Sequence, residues 1–171
     1  LVFGIVQKPY KPGIIGVVGG SAVDEATLMQ AEAMGKHIAG LGCVLMSGGG
    51  GGVMRAASKG AYLAGGLVIG ILPNERQHPS TGYPNEYVHI PIYTGLSDAR
   101  NVILAKAPNA VVAFRGTFGT MSEVALALKA GTPVISLGIS HCRVLAEEPL
   151  FVSAMTVEDA VGKLRNLLES P

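Results

Sequence analysis

Tryptophan is absent from the 171 residues, aromatic residues amount to 5%, and the only cysteines are Cys43 and Cys142. Two cysteines are too few for a disulfide framework and stand at no metal-ligand spacing, which points to a reducing compartment. So few aromatics leave no stacking platform of the kind single-strand nucleic-acid binders use. Charge is scarce as well: charged residues make up 15% of the chain, with a formal net charge of +1. They are scattered rather than striped, so no electrostatic footprint for a nucleic-acid polymer is present. Long apolar runs are also missing. The longest span five to seven residues between turn signals, the length of strands and not of membrane spans. The Leu1–Val6 run lacks a basic leader and is followed by Lys8, Pro9 and Pro12, so it fails as a signal peptide and a cytoplasmic protein without membrane association is expected. His37, His78, His89 and His141 share no metal spacing with one another or with the cysteines, and no metal site is expected.

What is abundant is apolar residues, 49%, and glycine, at 24 positions. The length suits one domain over residues 1–171, enough to bury roughly 70% of the surface of the unfolded chain. Apolar runs at Ile14–Val18, Cys43–Met46, Leu67–Leu72, Ala110–Phe114 and Val134–Leu137 alternate with helix-like segments. This is the pattern of a doubly wound, Rossmann-like α/β domain with a mainly parallel sheet of five or more strands. Helices are expected at Asp24–Ala39, Val53–Ala64, Ser97–Ala107, Thr120–Ala130 and Val157–Glu169. Gly65, Pro108 and Gly131 act as stops, Ser97 as an N-cap, and Thr156 with Asp159 as a capping box. In the first of these, Leu28, Ala31, Gly35 and Ile38 share one face, with Glu25, Glu32 and Lys36 on the other. The irregular stretch Pro73–Glu86 is long enough to be a binding loop or lid, or a plain surface connection.

Ligands of open parallel sheets bind at the carboxyl ends of the strands, so residues that directly follow each strand are the candidates. Ser47 and the five glycines Gly48, Gly49, Gly50, Gly51 and Gly52 precede a helix that opens with Val53, Met54 and Arg55. Consecutive glycines let backbone N–H groups approach an anion at a helix N-terminus; the alternative is a tight turn with close helix–sheet packing. Neither the GxGxxG nor the Walker pattern is met. The second segment is Arg115-Gly116-Thr117-Phe118-Gly119-Thr120-Met121-Ser122-Glu123, where two glycines, two threonine hydroxyls and a helix start fit a phosphate. Thr120 and Glu123 also read as a T-x-x-E capping box. In the third, Ser97-Asp98-Ala99-Arg100-Asn101, a cation in a first helical turn opposes the macrodipole by about 0.3–1 kcal/mol at an exposed site. Either an Asp98 partner or a solvated face explains Arg100, or it meets an anion or substrate. Gly19-Gly20-Ser21 forms a further ligand-facing turn, and the glycine run and the Arg115–Glu123 segment are expected side by side.

Together these segments resemble the LOG family, named for the LONELY GUY cytokinin-activating enzymes and long mislabelled as lysine decarboxylases. Its signatures are a GGGxxGxM-like loop, resembled by Gly48–Met54, and PGGxGTxxE, matched at Gly116, Gly119, Thr120 and Glu123. The Arg100-Asn101 pair stands where the family has Arg-Lys. The similarity runs from about Ile14 to Leu137. It implies hydrolysis of the N-glycosidic bond of a nucleoside 5′-monophosphate such as AMP, with Arg100 and Glu123 as the catalytic pair. Gly19, Ser21, Gly48 to Gly52, Met54, Asn101, Arg115, Gly116, Thr117, Gly119 and Thr120 would line the nucleotide, no cofactor is called for, and a homodimer or higher homo-oligomer is implied. The chemistry is sound, because a fixed carboxylate stabilises the oxocarbenium-like charge that develops on ribose. No lysine sits in a motif suited to a pyridoxal phosphate Schiff base, so lysine decarboxylation is rejected.

Two positions depart from the pattern: Arg115 replaces the proline and Thr117 the second glycine. A side chain at Thr117 could narrow the phosphate turn, and Arg115 could strengthen anion binding or block the pocket. The Ala-Arg-Asn context and the short length are similar to a sister branch of molybdenum-cofactor carrier proteins, for which glycosidase activity is not implied. Two readings follow, a nucleoside monophosphate phosphoribohydrolase and a non-catalytic carrier of a phosphorylated, nucleotide-like ligand.

Overall fold

Strands covered on both faces need apolar residues at every position, and the central strands meet that demand. β1 (Ile14–Val18), β2 (Val44–Ser47), β3 (Val68–Leu72), β5 (Ala110–Phe114) and β6 (Val134–Leu137) are buried almost throughout. The computed structural model describes residues 13–139, 145 and 147–169; Leu1–Val6, His141 and Cys142 lie outside them. Two strands absent from the sequence expectation, β4 (Ile90–Tyr93) and β7 (Phe151–Ala154), complete a seven-stranded sheet. Its order is β4-β3-β2-β1-β5-β6-β7, and every pairing is parallel. Both additions are four-residue edge strands. Pro91 inside β4 argues against a strand in sequence and is tolerated because an edge strand has one side free of ladder bonds.

Helices flanking the sheet among the described residues include α1 (Glu25–Gly40), α2 (Val53–Leu63), α3 (Asn101–Lys106), α4 (Phe118–Lys129) and α5 (Val157–Glu169). Alternate strand residues feed opposite layers. Ile15, Val17, Leu45, Val112 and Phe114 pack with α1, α2 and α5, whereas Val18, Val111 and Ala113 pack with Ala105, Val124 and Ala127 of α3 and α4. Winding reverses between β1 and β5, which places the topological switch point over these two neighbours.

Helix boundaries correct three expectations. The Ser97–Ala107 helix is a 3₁₀ turn, Ser97–Arg100, followed by α3; Ser97 lies at φ +49° and makes no cap bond. The fourth helix begins at Phe118, two residues early, with Thr117 as its N-cap. Thr120 is therefore inside the helix, so the T-x-x-E segment is not a capping box. The Thr156 cap does form: its Oγ1 accepts the Asp159 N–H at 3.2 Å, while the Asp159 carboxylate accepts from Met155 N–H at 3.0 Å.

α1 and α2 cross through glycine. A Cβ on Gly35 would lie 2.0 Å from the Ala57 carbonyl oxygen, and one on Gly60 would lie 1.9 Å from that of Glu32. Gly35→Ala and Gly60→Ala should each destabilise by about 1–3 kcal/mol, because the overpacked contact is backbone and cannot rotate away. Gly162→Ala, which meets nothing within 4 Å in α5, should stabilise by about 0.5–1 kcal/mol. Urea unfolding of the three variants checks the contrast, and a loss at Gly162 equal to that at Gly35 would contradict it.

Candidate functional site

Three strand-end loops meet in backbone contact. Gly20 N–H donates to the Arg115 carbonyl at 2.8 Å, and the Gly20 carbonyl accepts from Val53 N–H at 3.0 Å. The glycine run and the Arg115 loop, expected side by side, lie at the same end of the sheet with the Gly19–Ser21 turn between them. No side chain fits in these seams. A Cβ on Gly19 would lie 2.7 Å from Val53, one on Gly52 would lie 2.4 Å from the Gly20 carbonyl and 2.5 Å from Ser21, and one on Gly116 would lie 2.0 Å from Thr120 Oγ1.

The five glycines divide their work. Gly48 is backed by Arg100 and by Met54 Sδ, Gly49 by Leu72 and Gly50 by the Tyr83 ring. With Gly52 against Ser21, four of the five serve close approach within the protein, and only at Gly51 is the space open. The packing alternative thus accounts for most of the run, and Met54 packs beneath it. Sequence reasoning missed the agents of this packing. Tyr83 and Asn85 come from the long loop after β3, where only the dense Tyr-Pro-Asn turn chemistry could have drawn attention.

Arg100 is 8% exposed and reaches neither Asp98 nor solvent. Its guanidinium donates to the carbonyls of Gly48 and Ile71, at the ends of β2 and β3, and lies 5.4 Å from the Tyr83 ring centroid. A buried cation held by two carbonyls and an aromatic face fastens the glycine run to the sheet. Its charge also acts on Glu123, in the second turn of α4. Burial pushes the Glu123 carboxyl up to about 7, and Arg100 opposes that rise. Asn101, buried beside it, donates to Ser122 Oγ at 2.9 Å, and Ser122 donates to the Gly119 carbonyl at 2.8 Å, so Asn101 braces α3 against the start of α4.

Arg115 and Thr117 shape the open space. Thr117 sits at φ −107°, which any residue adopts, so a side chain in place of glycine costs no backbone strain here. Arg115 stands between two clefts. One, of about 410 Å³, is lined by Ala22, Val23, Asp24, Arg115, Gly116 and Thr117; the other, of about 240 Å³, by Arg115, Gly116, Thr120, Met121, Gly138 and Ile139. The first opens over the switch point between the N-termini of α1 and α4. The guanidinium approaches Asp24 at 3.7 Å, and both side chains are exposed. Asp24 itself caps α1 by accepting from Thr27 N–H at 2.8 Å; hydrogen bonding from the Thr27 side chain, and next from this N–H, holds its carboxyl below the usual range. Thr120 is 4% exposed and lines the second cleft, and its hydroxyl has no hydrogen-bond partner among the described residues. A cleft of about 530 Å³ between α1 and α2, lined by residues such as Met29 and Leu63, lies away from the strand ends.

Comparison with known proteins matches residues 12–163 to the SLOG cluster4 family. The molybdenum cofactor binding protein of the phototrophic bacterium Rippkaea orientalis superposes with a TM-score of 0.83 at 37% identity, over 93% of this chain and 99% of its own. The molybdenum cofactor carrier protein of Chlamydomonas reinhardtii gives 0.81 at 41% identity, over 94% and 100%. An uncharacterized protein of Archaeoglobus fulgidus is 44% identical over 123 residues, 72% of this chain and 78% of that protein.

The Glu123 carboxyl sets a pH dependence. With a folded value of about 7 against the ordinary 4.5, the native state keeps a proton that the unfolded chain releases. Stability therefore falls as pH rises from about 4.5 through about 7. Glu123→Gln removes this loss, so its stability relative to the unmodified protein should grow between pH 5 and pH 8 by on the order of 1–3 kcal/mol. Denaturation midpoints of both proteins at the two pH values test this, and parallel profiles would show that the carboxyl titrates normally.

Proposed function

The chain belongs to the SLOG cluster4 family, and on that footing we propose that it is a carrier of a phosphorylated, nucleotide-like small molecule, with the molybdenum cofactor as the cargo its relatives' names indicate. The observation that carries this reading is the placement of Thr120, a residue only 4% exposed that lines the cleft beside Gly116 next to the N–H groups that open α4. A phosphate there would gain that hydroxyl, the N–H groups of Phe118, Gly119 and Thr120, and the nearby Arg115 cation. The full-length similarity to two molybdenum-cofactor proteins supports the same choice of ligand class.

One observation favours the hydrolytic reading as a second possibility: Glu123 is a half-buried carboxyl within reach of the Arg100 charge. Stabilising a ribosyl cation requires the ionised form. A carboxyl that titrates at about 7 is only partly ionised at neutral pH, and Arg100 is already engaged by two carbonyls. These features fit a ligand held intact better than one cleaved. The family likeness also suggests a homodimer. Phe118 is 93% exposed at the start of α4 and Val102 is 40% exposed on α3, an apolar pairing that a second copy would cover.

Two measurements test these statements. AMP should bind at least about 10-fold more tightly than adenosine, and Thr120→Val should remove most of that advantage, since a hydrogen bond to a charged group contributes about 1.5–3 kcal/mol. The same samples, incubated with AMP, GMP and CMP, should release no free base. Release that falls about 100-fold in Glu123→Gln would instead establish the hydrolase. Light scattering at micromolar concentration should report a dimer that Phe118→Ser weakens; a monomer throughout would remove the homodimer.

A further inference from the structure

We infer that Asn85 is a positioning residue that sets the peptide planes of the glycine run so that the Gly50 and Gly51 N–H groups are presented to the second, acceptor-bearing end of the ligand. This rests on the phosphate site proposed above and adds the other half of the molecule. Asn85 is 6% exposed although it lies in the long loop after β3. Its N–H donates to the Gly49 carbonyl at 2.7 Å and its Nδ2 to the Gly50 carbonyl at 2.9 Å. Its Oδ1 accepts from Tyr87 N–H at 3.1 Å and its carbonyl from Val88 N–H at 3.2 Å.

In a trans peptide the C=O and the N–H that follows it point in opposite directions. Turning the Gly49 and Gly50 carbonyls toward Asn85 therefore turns the N–H groups of Gly50 and Gly51 away from it. Neither N–H has a hydrogen-bond partner among the described residues, and no atom lies within 4 Å of the Cβ position of Gly51. Five consecutive glycines would otherwise explore many conformations, and ordering them on binding would weaken affinity. The loop that holds Asn85 is itself fastened: Arg55 of α2 pairs with Glu86, the Tyr62 ring stacks on His89 at 4.9 Å, and Tyr83 backs Gly50. The loop is thus a fixed template rather than a lid.

β2 and β5 flank β1, so at ordinary strand spacing their two loops begin about 10 Å apart. A ligand with its phosphate at Gly116–Thr120 meets the glycine run with a group about that far away, and what the exposed N–H groups select there is an acceptor. A ring carbonyl, a sugar oxygen or a second phosphate qualifies.

Amide nitrogen NMR titrations with inorganic phosphate and with GMP test the inference. Phosphate should move only the Gly116–Thr120 amides, and GMP should move Gly50 and Gly51 as well. Asn85→Asp keeps the shape but sets an oxygen against the Gly50 carbonyl. It should abolish the Gly50 and Gly51 response and weaken GMP about 10-fold, the effect of one lost hydrogen bond, with phosphate affinity unchanged. Asn85→Ala serves if the first variant folds poorly. GMP leaving Gly50 and Gly51 unmoved in the unmodified protein, or a variant that weakens phosphate and GMP equally, would overturn the assignment. A failure of phosphate to move Gly116–Thr120 while GMP still moves Gly50 and Gly51 would remove the phosphate site and leave the role of Asn85 standing.

Discussion

Gly20 joins the two halves of the site through its own backbone, donating to Arg115 on one side and accepting from Val53 on the other. Backbone groups buried at a strand end must find partners, and here they find them only if no side chain intervenes. The glycines at 19, 20, 52 and 116 follow from that requirement, as does the close seating of the α2 and α4 N-termini around β1. Once the loops are joined, the N–H groups left over at the helix starts have no acceptor among the described residues, which is the arrangement the proposed anion site would use.

A second tier of contacts holds this junction in one shape. Arg100 ties Gly48 to the end of β3, Asn85 holds the next two carbonyls, and the Asn101–Ser122–Gly119 relay steadies the start of α4. These side chains face the backbone of the loops rather than the open clefts. A buried cation bound to carbonyls loses much of its stabilisation if one partner moves. The arrangement therefore favours a rigid receptor, with little conformational cost left for the ligand to meet.

The central sheet was legible because burial on both faces forces apolar runs at β1, β2, β3, β5 and β6, and because glycine clusters mark where each run ends. The edge strands β4 and β7 were not, since a short strand with one free edge needs no such run and even admits Pro91. The division of the glycine run was hidden for another reason. Whether a glycine serves a ligand or a neighbouring side chain depends on what packs against it, and Tyr83, Asn85 and Arg100 arrive from 33 or more residues away in sequence. The T-x-x-E motif misled because a capping box is defined by its helix start, and α4 starts two residues before Thr120.

The same displacement bears on what the site does. With Thr120 inside the helix its hydroxyl is free of capping duty and turns to the cleft beside Gly116, while Glu123 moves inward to a position where burial favours its neutral form. A neutral carboxyl can donate a hydrogen bond to a bound heterocycle but stabilises a developing cation poorly. On the proposed reading, the helix register that turns the Thr120 hydroxyl to the cleft is also the register that suppresses the charge a glycosidic cleavage would need. That coupling would let one loop-and-helix framework hold the proposed phosphorylated ligand without breaking it.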